Sequence, residues 1–273
     1  MIFLQFLLPQ HLLSRLMFRF ARIQVPWIKN RFTSWFVSKY GVNMNEAEQE
    51  DISAYEHFND FFTRSLKDGL RPISDSKIIS PVDGVVSQCG SIDESKIIQA
   101  KGKSYSVSAL LSDKSRNDSY ASFATIYLSP KDYHRIHMPC DGTLKSMKYI
   151  PGNLFSVNQN TVKSIDRVFS RNERLISYFE TDFGEIAVVM VGAIFVGSMQ
   201  TVWEGQITPP YSKSVKTFEY KNRQIKLSKG DELGRFNMGS TVILLLPCDS
   251  PSLNIELGES EMGGLKIKIF LPV

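Results

Sequence analysis

The apolar positions of the chain follow a helical period first and a strand-like one later. From His11 to Ile23, Leu12, Leu13, Leu16, Met17 and Phe20 recur at helical spacing, while Arg15, Arg19 and Arg22 recur at i, i+4 and i+7 on another face, which predicts a basic amphipathic helix. A second such segment follows Pro26, with Trp27, Ile28, Phe32, Trp35, Phe36 and Val37 set among Lys29, Arg31 and Lys39. Tyr55 to Leu70 reads as a third helix carrying Phe58, Phe61, Phe62 and Leu66 on one face, with Gly69 and then Pro72 to stop it. Beyond residue 75 the runs are short, β-like and broken by Gly, Pro, Asn and Asp: Gly84 to Val86, Thr125 to Leu128, Leu175 to Phe179, Val242 to Leu246 and Leu265 to Leu271. The expectation is an α+β fold, a mainly β body with N-terminal amphipathic helices, divided into residues 1–45 and a domain over 46–273.

Ile186 to Val196 is the longest apolar stretch, but glycines at 192 and 197 interrupt it, and it is far shorter than the roughly 20 residues of a spanning helix. Buried strands account for it. No repeat of fixed period and no glycine-rich phosphate loop of the GxxxxGK type occurs.

Charge sharpens the view of the N-terminus. The formal net charge is +4, yet residues 1–45 hold six Lys and Arg and no Asp or Glu, so the rest of the chain is slightly acidic. That asymmetry points to an anionic membrane surface met by the N-terminus and not to a nucleic-acid groove in the body. The tryptophans suit the level of lipid headgroups, and the segment should lie on a membrane without crossing it. Packing of the two helices on the body is the competing reading. A cleaved signal peptide fits poorly, because Met1 to Leu8 carry no positive charge and no small-residue cleavage site follows.

Length and cysteines narrow the class little. A chain of 273 residues suits one main domain with an appendage. Cys89, Cys140 and Cys248 are odd in number and lack CxxC spacing, so neither a disulfide framework nor a cysteine zinc site is suggested, and a reducing compartment fits.

Three clusters carry candidate chemistry: Pro81-Val82-Asp83-Gly84, Tyr133-His134-Arg135-Ile136-His137-Met138-Pro139, and Asn237-Met238-Gly239-Ser240-Thr241. Each has a plain alternative. Asp83-Gly84 is a common turn dipeptide; His134 and His137, three apart, would stand side by side on a helix as a surface pair or part of a metal site; Gly-Ser occurs in many loops. Together they supply a carboxylate, an imidazole and a hydroxyl, the parts of a Ser/His/Asp system. The GxSxG elbow of common serine hydrolases is absent, so an ordinary esterase is not the natural conclusion. A metal-dependent hydrolase using His134 and His137 with Asp83, and a non-catalytic membrane-binding module, remain open on these residues alone.

Over most of its length the chain resembles the bacterial phosphatidylserine decarboxylases, which are pyruvoyl-dependent. The processing motif of that family, usually Leu-Gly-Ser-Thr, is matched by Met238-Gly239-Ser240-Thr241, with a volume-conserving Met for Leu. Similar to the family as well are Gly230-Asp231-Glu232-Leu233-Gly234-Arg235-Phe236, Phe61-Phe62-Thr63-Arg64, Asp132 through Pro139, Leu154-Phe155-Ser156-Val157-Asn158, Arg171-Asn172-Glu173-Arg174 and Val191-Gly192-Ala193.

The resemblance implies a proenzyme that cuts itself between Gly239 and Ser240. Asp83, His137 and Ser240 would form the processing triad, with His137 as base and Asp83 holding its tautomer. The products would be a β chain of residues 1–239 and an α chain of residues 240–273, headed by a covalent pyruvoyl group derived from Ser240. That group would form a Schiff base with phosphatidylserine, releasing carbon dioxide and leaving phosphatidylethanolamine, with His134 as the proton donor and no metal needed. Another amine-bearing acid is the alternative substrate. The resemblance further implies a possible homodimer and, for this short bacterial-type form, a peripheral position on the cytoplasmic side of a bacterial inner membrane.

Overall fold

A computed structural model of the chain describes residues 3–100, 102–195, 198–237, 241–251, 253 and 265–267. Met238, Gly239 and Ser240 therefore lie outside the described residues, as do residues 268–271 of the expected last strand.

Both expected N-terminal helices form, as α1 (Gln10–Phe20) and α2 (Pro26–Tyr40). α2 begins with proline in its first turn, where no amide hydrogen is required, and ends at Gly41, whose φ of +66° suits the left-handed cap. α1 faces the body with polar groups. Gln10 accepts the Leu154 N–H at 2.6 Å and Ser14 accepts the Phe195 N–H at 3.1 Å. Leu12, Leu16 and Phe20 are exposed on its outer side. α2 instead contributes Phe36 to a second hydrophobic cluster, with Ala21, Val42, Tyr55, Phe58, Phe61 and Phe62.

The third helix is much shorter than its periodicity suggests: α3 spans only Phe58–Phe62. His57 caps it, its Nδ1 accepting the Asp60 N–H at 2.9 Å. At the other end the chain turns away to pair with an earlier segment, Glu48 N–H donating to the Ser65 carbonyl and Lys67 N–H to the Glu46 carbonyl, each at 3.0 Å. These long-range bonds replace the helical ones that Ser65 to Leu70 would otherwise make.

The body is antiparallel. A nine-stranded sheet runs β11 (Lys216–Glu219), β6 (Gly142–Ile150), β7 (Arg174–Thr181), β8 (Gly184–Val191), β14 (Thr241–Leu246), β4 (Ser122–Tyr127), β1 (Gly84–Ser91) and β15 (Leu265–Ile267), with β12 (Lys226–Leu227) also pairing β6. A four-stranded sheet runs β10 (Gly205–Gln206), β9 (Met199–Thr201), β13 (Glu232–Phe236) and β5 (Arg135–His137). β2 (Lys96–Ala100) and β3 (Lys103–Ser106) form a separate hairpin. All six residues of β14 are buried between β8 and β4, which explains the unbroken apolar run from Val242 to Leu246. The α+β class and the mainly β body are as the sequence leads one to expect.

Candidate functional site

Three neighbouring strands place the site at one end of the large sheet. Val85 of β1 and Thr241 of β14 both pair with Tyr127 of β4, and Thr241 also pairs with Val191 of β8. Thr241 and Val85 thus stand at the same end of the sheet, roughly 10 Å apart across one intervening strand. Gly84 fits there for a steric reason: a Cβ on it would stand 2.5 Å from the Tyr127 carbonyl oxygen.

β13 and β14 belong to different sheets, so the stretch from Asn237 to Thr241 is the covalent crossing between them. Its flanks are fastened: Asn237 donates its backbone N–H to the Ser198 carbonyl at 3.1 Å and its amide to the Ser198 hydroxyl at 2.5 Å.

His134 and His137 lie at and within β5 and not on a helix, which corrects the side-by-side arrangement allowed by three-residue spacing. On a strand that spacing sends the two rings to opposite faces. The imidazole of His137 has Nδ1 2.8 Å from the Gly230 carbonyl oxygen and Nε2 3.1 Å from the Tyr133 hydroxyl. A carbonyl only accepts, so Nδ1 carries the proton and Nε2 the lone pair. Gly230 has a φ of +92°, a backbone state glycine holds without strain, and its N–H donates to the Met138 carbonyl at 2.9 Å. Burial lowers the His137 pKa, and the Asp83 charge works weakly in the other direction. Burial also pushes the Tyr133 hydroxyl up to about 12, so it stays a donor to Nε2 at neutral pH.

Asp83 is brought beside this pair by the backbone bond from His137 N–H to the Pro81 carbonyl, 2.9 Å. Its carboxylate receives the Arg71 guanidinium at 2.8 Å and 3.3 Å, and Arg71 also reaches Glu46 at 2.5 Å. Asp83, Arg71, Glu46, Arg64, Lys131 and Tyr133 line a cleft of about 350 Å³. A second pocket of about 190 Å³ is more apolar, walled by Phe36, Tyr40, Phe62, Tyr127, Val157 and Phe195.

His134 is fully buried with its ring centroid 4.1 Å from that of Phe62. Its Nδ1 lies 2.8 Å from the Asp132 carbonyl oxygen, so it too carries its proton on Nδ1. Its Nε2 is buried and has no hydrogen-bond partner among the described residues. Burial first, and the Arg64 charge second, push its pKa down to about 3. The ring is a neutral imidazole aiming a bare lone pair into the protein.

The motifs that resembled a family at a distance along the chain meet here. Arg135 of β5 pairs with Glu232 of β13 at 3.0 Å and donates to the Thr63 carbonyl at 2.9 Å. The side chain of Asn172 bonds Phe155 N–H at 3.1 Å, the Phe155 carbonyl at 2.8 Å and the Gly192 carbonyl at 2.9 Å, tying the 154–158 loop to the turn after β8. Sequence reasoning missed Gly230, Arg71 and the hydroxyl of Tyr133 as partners of the site. Tyr133 lay in view inside the histidine motif, whereas nothing local marks Arg71 or Gly230 as neighbours of positions 83 and 137. The metal-dependent hydrolase reading gains no support: the two rings face apart, and His137 has both nitrogens engaged. Among the described residues no group of three or more His, Cys, Asp and Glu side chains gathers as a metal site.

Comparison with known proteins gives the family. A family model described as phosphatidylserine decarboxylase matches residues 58–268, and a second, described as PSD, matches residues 1–41. A Pseudomonas fluorescens (strain Pf0-1) protein named phosphatidylserine decarboxylase proenzyme is 52% identical over 90% of this chain and 88% of its own length. Proteins of the same name from Francisella tularensis are similar: that of subsp. holarctica (strain FTNF002-00 / FTA) is 51% identical over 93% of this chain and 91% of its own, and that of subsp. novicida (strain U112) is 50% identical over 96% and 93%. With the family model covering well over half of its length and relatives of this identity spanning nearly all of it, the chain belongs to the phosphatidylserine decarboxylase family.

Proposed function

We propose that this protein decarboxylates phosphatidylserine with a pyruvoyl group that it makes from its own Ser240. The observation that carries the reading is a neutral His137, with its lone pair on Nε2, beside the Asp83 carboxylate near the end of the sheet where Thr241 begins β14; His134, on the opposite face of the strand, adds a buried unpartnered Nε2. The orphaned nitrogen is what a site fitted to that group would contain, since a buried acceptor without a partner is costly unless function requires it.

In self-cleavage the Tyr133 hydroxyl yields His137 Nε2 to the Ser240 hydroxyl, whose proton Nε2 takes while the oxygen attacks the Gly239 carbonyl carbon. The Gly230 carbonyl holds the tautomer, and the Asp83 charge favours the imidazolium that forms. An N-to-O shift gives an ester between the Gly239 carbonyl and the Ser240 oxygen. Elimination then releases the chain ending at Gly239 as a carboxylate and leaves dehydroalanine at 240, which takes up one water and loses ammonia. Glycine at 239 leaves the attacked carbonyl sterically open. Both products stay in place because β13 is paired with β5 and β9, and β14 with β4 and β8.

The pyruvoyl carbonyl supplies an electrophile for the substrate amine and a sink for the electrons left by departing carbon dioxide. The chain's own residues do the rest. His134, packed on the Phe62 ring, serves as proton donor to the carbon that loses carbon dioxide, and the apolar pocket rimmed by exposed Phe195 suits the lipid portion of the substrate. Intact mass measurement of purified protein tests the reading. It should find residues 1–239 ending in a free carboxylate and residues 240–273 blocked by a keto group; one uncut chain without a carbonyl would sink it.

A lipid substrate requires contact with a bilayer. Of the fourteen exposed large hydrophobic side chains among the described residues, eight fall between Phe6 and Trp35, the stretch that also carries five cations without a carboxylate. Exposed Leu12, Leu16, Trp27 and Trp35 beside Arg15, Arg19 and Arg31 fit a peripheral, headgroup-level attachment, on the cytoplasmic face of an inner membrane. No helix among the described residues is long and apolar enough to cross a membrane. Leu12→Ser combined with Leu16→Ser should weaken binding to anionic vesicles about thirtyfold, since each lost side chain removes on the order of 1 kcal/mol of insertion. Co-sedimentation of the wild type should also fall as salt rises; binding indifferent to both changes would remove the membrane assignment.

A further inference from the structure

Asn59 joins two parts of the molecule that the chemistry above leaves unconnected. The side-chain amide of this buried α3 residue donates to the Asn237 carbonyl at 2.7 Å, across 178 residues of sequence. Asn237 is itself buried, and its other two bonds both go to Ser198. Asn59 is in turn aimed by its own backbone. Its N–H donates to the carbonyl of Ala21, the residue that caps α1, at 2.8 Å, and its carbonyl accepts the Thr63 N–H and hydroxyl, each at 3.0 Å. The amide is therefore pre-oriented before it meets residue 237.

The Asn237 carbonyl belongs to the peptide plane that leads into Met238 and Gly239. Because that plane is rigid, fixing its oxygen fixes the direction in which the next residues set out. Intramolecular attack is sensitive to such placement, about a hundredfold in rate for a 1 Å error. We infer that Asn59 is a positioning residue for self-cleavage: its amide holds the Asn237–Met238 peptide so that the Gly239 carbonyl is presented to the Ser240 hydroxyl. The inference rests on the reading that the chain cuts itself at this bond. Once the cut is made, residue 237 no longer carries the reacting group, so the same contact should matter little to turnover.

The test measures the first-order cleavage rate of freshly folded precursor by gel densitometry, the pyruvoyl content and the decarboxylation rate per pyruvoyl. Asn59→Asp keeps the side chain's shape but donates nothing at neutral pH. It should cleave at least tenfold more slowly than wild type at pH 8, well below its thermal midpoint, and recover toward the wild-type rate near pH 5, where the introduced carboxyl group regains a proton to donate. The molecules that do mature should turn over within about twofold of wild type per pyruvoyl. Wild-type cleavage speed in folded Asn59→Asp, or a parallel fall in turnover per pyruvoyl, would overturn the positioning role. Failure of the wild type itself to cleave would instead remove the reading beneath it. Should Asn59→Asp not fold, Asn59→Ser, whose hydroxyl falls short of the carbonyl, carries the same outcomes.

Discussion

Ser240→Ala is expected to yield one uncut chain of 273 residues with no measurable decarboxylation, a loss of more than about a thousandfold, as befits removal of a nucleophile. Both steps depend on one oxygen. It first attacks the Gly239 carbonyl and then leaves with it, and a methyl group does neither. Threonine tests the same logic, since a cut there would leave a different keto acid with an extra carbon. The variant should fold, because the crossing from β13 to β14 is anchored on both sides by strand pairing and by the bonds of Asn237. Its thermal midpoint should lie within a few degrees of the uncut wild-type precursor. A Ser240→Ala protein that still divides into two pieces, or still releases carbon dioxide, would end the proposed chemistry.

The sequence announced its fold best where burial is two-sided or one-faced in a simple way. Val242 to Leu246 reads as a core strand because β14 lies between two neighbours and under a covering layer, so every side chain is apolar. α1 and α2 read correctly for the same reason at the helical period, although Leu12, Leu16 and Phe20 of α1 look outward while Gln10 and Ser14 secure the inner face and Met17 packs on the second cluster. The aromatic run near Phe58 misled in length, because Leu66 and its neighbours pair with residues 46–48, an interaction no local pattern encodes.

The site divides the same way. Asp83, His134 and His137 were visible as residue types able to do acid–base work, and the structure sets Asp83 near His137, with His134 on the opposite face of the same strand. What each does is set by partners far away in sequence: Gly230 fixes the tautomer of His137, Arg71 takes the Asp83 carboxylate, and Phe62 with Arg64 determines the state of His134. A carboxylate near a histidine suggested that the one orients the other; the described hydrogen bond from Nδ1 goes to a backbone carbonyl 93 residues on. Backbone acceptors carry no side-chain signature, so no reading of residue types reveals them.

His134→Ala should separate the two activities, leaving cleavage within about threefold of wild type while lowering turnover by at least a hundredfold, the size typical of a lost general acid. The argument turns on its protonation. With a pKa near 3 in the described state, the ring is neutral at pH 7 and cannot donate from Nε2. A substrate carboxylate arriving about 4 Å from that ring contributes roughly 4 kcal/mol at an effective dielectric of 20. That raises the ring's pKa from its depressed value and lets it take a proton at Nε2 as the anion binds. When carbon dioxide leaves, the stabilising charge leaves with it, and the imidazolium becomes strongly acidic beside the α carbon that must be protonated. The sign of the pH effect follows: turnover should rise as pH falls from 8 toward 6, because protonation of the substrate-bound ring becomes easier, while cleavage, which uses neutral His137, should not follow that trend. Single-turnover decarboxylation measured across that range in wild type and in His134→Ala checks both parts. Loss of cleavage with turnover per pyruvoyl preserved would reverse the roles given to the two histidines.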